Sequence, residues 1–120
     1  MTDKLLEHTK KSANALNALF KGDHIEAGLM LLYAWIDRMA WLSTDKKESS
    51  GQDFKDWVNR YLIHQYKYPF NADDLWAARC AVLHTGTNEA RDTHKGKAKK
   101  LLYYTGVTHT VKVNKTTRYL

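Results

Sequence analysis

Hydrophobic positions recur along this chain at intervals of three and four for most of its length, which is the period of helices packed on one side. Leu5, Thr9, Ala13, Leu16 and Phe20 mark one face of a helix over residues 3–21, with Lys4, Glu7, Lys10, Lys11 and Asn14 turned to water. Gly22 and Asp23 break it. Residues 25–43 form a second helix, apolar on every side across residues 29–36, so the pattern predicts the centre of a bundle. Asp37 and Arg38 interrupt that run. A third helix over residues 52–67 starts at a Ser50/Asp53 capping box and carries Phe54, Trp57, Val58, Tyr61, Leu62 and Tyr66. That stripe reads as core rather than as a base-stacking platform. Pro69 closes the helix, since the residue before proline avoids helical geometry.

The fourth helix, residues 71–86, has its own start and stop signals. Asn71 and Asp74 form a second capping box, Asp73 and Asp74 put negative charge at the positive end of the dipole, and Gly86 suits a helix stop. Leu75, Ala78 and Val82 give it an apolar face. Beyond it, residues 89–93 suggest a short helix and residues 97–104 a fifth, ended by Gly106. Residues 107–113 alternate as a strand does, with no second strand to pair with. The expected fold is therefore all-α: an up-and-down helical bundle of four to five helices over residues 1–106, with a short extended or strand-like C-terminal tail over residues 107–120.

Composition sharpens the picture. The chain of 120 residues suits one domain, and a single Cys excludes an internal disulfide or a Cys-based zinc site. No two of the six His stand three to five residues apart, so no metal site is expected, and no cofactor. Gly96-Lys97 lacks the remainder of a phosphate loop. The longest apolar run, residues 27–36, is half of what a membrane span needs, and the N-terminus turns polar after two leucines, so a cytoplasmic protein is expected.

The formal charge of +6 is unevenly placed. Residues 1–78 hold 10 Lys/Arg against 11 Asp/Glu, whereas residues 79–120 hold 9 against 2. The whole excess lies from Arg79 onward, and such asymmetry suits an anionic partner, nucleic acid being the commonest. The alternative is a solvated basic tail. Lys95, Lys97, Lys99 and Lys100 are the candidates for contact with a phosphate backbone.

Arg79 and His84 do not belong to a bland core helix. One is a permanent cation and the other can change charge near neutral pH. Together they suffice for phosphodiester chemistry on RNA, which carries its own nucleophile. The imidazole moves a proton and the guanidinium holds the phosphate. Yet residues five apart on an α-helix stand about 140° apart around its axis. Either the helix loosens near His84, or two copies face each other. Asp37, inside an apolar helix, needs a partner. It either pairs with a neighbour at the bundle edge or orients Arg79 or His84. The plain alternative is that Arg79 only pairs with a carboxylate and His84 only caps the helix end.

An Arg, four residues and a His late in the fourth helix, after a strongly apolar second helix with an acidic residue, resembles the signature of the HEPN superfamily (higher eukaryotes and prokaryotes nucleotide-binding domains). The resemblance implies a metal-independent endoribonuclease, with Arg79 and His84 catalytic, Asp37 supporting them and a homodimer building one composite site. It also implies a role in toxin–antitoxin systems or phage defence, beside an antitoxin or nucleotidyltransferase partner. Many members carry a polar residue directly after the Arg, where this chain has Cys80. The alternative within the resemblance is a non-catalytic nucleotide- or nucleic-acid-binding or dimerisation module.

Overall fold

The computed structural model describes residues 3–64, 67–85, 95–102 and 117–119. Within them the chain is an all-α bundle. Helix α1 (Asp3–Lys21) turns at Gly22 and Asp23, the latter in the left-handed region at φ 64°, into α2 (Ile25–Leu42). Asparagine and aspartate are the side chains that tolerate this backbone best after glycine. α1 and α2 approach closely at Gly28, where a β-carbon would stand 2.8 Å from the Phe20 ring. α1 has no buried residue and packs chiefly on α2.

Helix α3 (Gly51–Val58) continues into a π-turn (Asn59–Ile63), and α4 (Ala72–Cys80) into a second (Ala81–Thr85). Both capping boxes are reciprocal, with Ser50 and Asp53 at one helix and Asn71 and Asp74 at the other. The core joins Tyr33 and Ile36 of α2, Phe54 and Val58 of α3, Ala72, Leu75 and Ala78 of α4, Val82 and Leu101. Each large apolar side chain fully buried there contributes about 1.5–3 kcal/mol.

Three expectations need correction. α2 is not enclosed: Gly28, Tyr33, Ile36 and Ala40 are buried, but Ala27, Met30, Ala34 and Trp41 are exposed. The third helix ends early. Its last turn widens to i→i+5 bonding, with the His64 amide donating to the Asn59 carbonyl at 3.1 Å. The extra residue shifts the phase of the stripe. Leu62 and Ile63 pack on the core, while Tyr61 is 48% exposed.

The last correction concerns the segment after α4. Residues 97–102 form no helix. Gly96 starts a turn at φ 73°, and β1 (Lys100–Leu102) runs parallel to β2 (Thr117–Tyr119). The Lys99 amide donates to Asp74 Oδ1 at 2.7 Å, and the residues that follow it pair as a strand with β2 rather than winding on. β1 falls within the expected fifth helix, and β2 within the tail expected to be extended or strand-like. Two three-residue strands are not stable alone. Leu101, fully buried, and the Asp74 bond fasten them to α4. Gly86, the short helix at 89–93, Gly106 and the alternation at 107–113 lie outside the described residues. Among the described residues no helix is long and apolar enough to cross a membrane.

Candidate functional site

The capping box at Asn71 fixes where α4 begins, and so which residues fall in its last turn. Seven residues past the first helical position, Arg79 turns its guanidinium toward α2. There Nε donates to Asp37 Oδ2 at 2.9 Å, and Nη2 stands 2.8 Å from the same oxygen. The indole of Trp76, one turn earlier on α4, lies against the guanidinium with Cζ 4.8 Å from the ring centroid. Trp76 in turn packs on Phe54 at 5.4 Å and on Gly51, where a β-carbon would be 2.8 Å from the indole. The Arg79 side chain is thereby 18% exposed and held on three sides. Burial works against its charge, but the hydrogen bond and the charge of Asp37 outweigh it and raise its pKa above the ordinary arginine value. Asp37 therefore orients Arg79, and Arg38 turns away toward His8 at 3.5 Å.

The third face of the guanidinium meets His84. Nη1 stands 3.1 Å from Nε2, and 3.8 Å from Cys80 Sγ. An arginine nitrogen only donates, so the ring nitrogen facing it accepts. The tautomer assigned on that ground carries its proton on Nδ1. The contact exists because the helix loosens: the π-turn Ala81–Thr85 widens the winding, and a residue five positions on returns to the same side. His84 is exposed, so one end of the Asp37–Arg79–His84 line is anchored in the bundle and the other is open to solvent. A phosphate oxygen reaching Nη1 would displace the imidazole lone pair and free it to take a proton.

The basic candidates sit elsewhere. The Lys99 amide is fixed to Asp74 in the first turn of α4, and Lys95 and Lys97 occupy the exposed turn before it. His84 is ten residues further along the same helix, or about 15 Å at 1.5 Å per residue. The structure thus brings Asp37, Arg79 and His84 together and places these lysines at the far end of α4. The Lys100 side chain lies outside the described residues.

Sequence reasoning missed Trp76 and Gly51. A tryptophan three residues before Arg79 is a same-face neighbour on a helix, which was signal enough for the first. Nothing in the sequence marked Gly51 as the floor beneath it. Among the described residues no group of three or more His, Cys, Asp or Glu is placed to hold a metal ion. No family model, curated protein or solved structure matches the chain.

Proposed function

We propose that the protein is a metal-independent endoribonuclease whose reacting groups are Arg79 and His84. The observation that carries this reading is the 3.1 Å contact between an anchored guanidinium and a solvent-open imidazole. Arg79 binds the scissile phosphate and offsets the charge that builds on it. His84 takes the proton from the 2′-hydroxyl, whose oxygen attacks phosphorus. The 5′-oxygen leaves with a proton supplied by a second imidazole, and a 2′,3′-cyclic phosphate remains. RNA runs along α4, from the lysine turn at one end to His84 at the other.

The second imidazole comes from a second copy of the chain. Ala27, Met30, Ala34, Asp37 and Trp41 repeat at three and four along α2, the spacing of a coiled-coil seam, and the four apolar members are exposed. Pairing of two such stripes places both Asp37–Arg79–His84 lines at one junction. Any antitoxin or nucleotidyltransferase partner follows from the HEPN resemblance alone, and a cytoplasmic setting from the sequence features given above.

The deciding experiment incubates the protein with RNA in EDTA and looks for cyclic-phosphate ends. The wild type cuts, His84→Ala does not, and Ala34→Arg loses both dimer and activity. Equal cutting by wild type and His84→Ala, or none by either, removes the catalytic claim. One observation favours a second reading, a binding or dimerisation module without cleavage: Asp37 already neutralises Arg79. RNA bound in a salt-dependent manner but left intact would select it.

A further inference from the structure

A cleft of about 180 Å³ opens between the C-terminal turn of α2 and the side of α3 that continues into the first π-turn. Its wall is built from Asp56, Trp57, Arg60 and Tyr61, with Ser43 and Thr44 opposite. The volume is below the roughly 300–1,000 Å³ of drug-sized sites, which suits a single ring rather than a whole cofactor.

Three of these groups touch in series. Trp57 meets Tyr61 at 5.4 Å with planes tilted by 45°, and the Arg60 guanidinium lies over Tyr61 at 5.3 Å from the centroid. Arg60 is exposed and has no carboxylate within ion-pair distance among the described residues. Its outer plane is therefore open, and guanidinium planes accept stacked bases as aromatic rings do. Beside it, Asp56 takes one bond, from Gln52 Nε2 to Oδ1 at 2.8 Å, and its other oxygen is available to a donor. The π-turn is what puts Tyr61 here, because regular winding would carry it to the core.

We infer that this cleft binds one nucleobase bearing an amino group, stacked on Arg60 over Tyr61 and donating from that group to Asp56. The choice of ligand rests on the RNA reading above. The site does not rest on cleavage, since it uses neither Arg79 nor His84. A free nucleotide and a single-stranded RNA present the same chemistry, and the ligand series separates them.

The experiment uses the full chain carrying His84→Ala, so that no RNA is consumed. GMP, CMP, UMP and short oligoribonucleotides are titrated while Trp57 is followed by its indole NMR signal. CMP and GMP are expected to shift Trp57 and to bind about tenfold more tightly than UMP, as one base-edge contact allows. Asp56→Asn should abolish that preference, and Tyr61→Ala should weaken every ligand. Both residues are exposed, and circular dichroism checks that the fold is kept. Tighter binding of oligoribonucleotides than of mononucleotides identifies RNA as the source, and equal binding identifies free nucleotide. No movement of Trp57, or a preference unchanged in Asp56→Asn, overturns the inference. Cleavage by the wild type with no binding here would leave the nuclease reading standing, and binding here without cleavage would do the reverse.

Discussion

Arg79 reaches His84 across five residues of its own helix, Nη1 to Nε2 at 3.1 Å, because the helix is wound as a π-turn where it ends. The same guanidinium is tied to Asp37, 42 positions earlier in the chain. Removing Asp37 would leave a largely enclosed cation without its counter-charge. Asp37→Ala is expected to destabilise the fold by about 1–3 kcal/mol, between the range for exposed pairs and that for fully buried ones. Urea titration measures it. Arg79→Ala in the Asp37→Ala background should add little, and a double-mutant cycle with coupling near zero would contradict the pairing.

Asp74 is 3% exposed and accepts two backbone amides, from Asn71 at 3.0 Å and Lys99 at 2.7 Å. Truncation to alanine would orphan both donors. At about 1–3 kcal/mol for each donor left unsatisfied, Asp74→Ala should cost about 2–6 kcal/mol in urea titration. Asn71→Ala removes only the reciprocal cap and should cost about 1 kcal/mol. Equal costs would mean that the Lys99 bond contributes nothing.

Gly51 has no room for a side chain beneath Trp76. Gly51→Ala should cost about 1–3 kcal/mol by overpacking, and Trp76→Phe in the same chain should relieve part of it. Since Trp76 supports Arg79, the nuclease proposal expects the single substitution also to lower RNA cleavage without touching Arg79 or His84.

Lys46 Nζ donates to Asp53 Oδ1 at 2.9 Å, and the Ser50 amide and hydroxyl donate to Oδ2. The Lys46 hydrogen bond, followed by that of the Ser50 amide, holds the Asp53 carboxyl below its ordinary range. A carboxyl depressed by folding contributes its stability above the unfolded value, about 3.9, and loses it as pH falls through the lower folded value. The melting temperature of wild type should therefore exceed that of Asp53→Asn at pH 6, and the gap should close below about pH 4. A gap independent of pH would show that the cap acts through shape alone.

What the sequence made legible was local. Ser50 and Asp53, like Asn71 and Asp74, announce their helix starts because the reciprocal bonds span three residues. The bounds of α1 and the start of α2 follow from Gly22 and Asp23. The π-turns were not legible, because the apolar spacing before them fits an ordinary α-helix and nothing local marks the one extra residue in the last turn. Tyr61 thus read as core, and Arg79 and His84 read as divergent unless the helix loosened. Residues 97–102 read as a helix because what holds them, Asp74, lies 25 positions before Lys99. The exposed stripe of α2 was hidden for another reason. A helix apolar all round has no preferred inward face, and only the neighbours it acquires decide which side is covered.

Helix α1 rests chiefly on one neighbour and buries none of its residues completely. It should then come away at a smaller free-energy cost than the rest, as a sub-global opening in which α2–α4 keep their packing. Its amides would exchange hydrogen before those of α4 do.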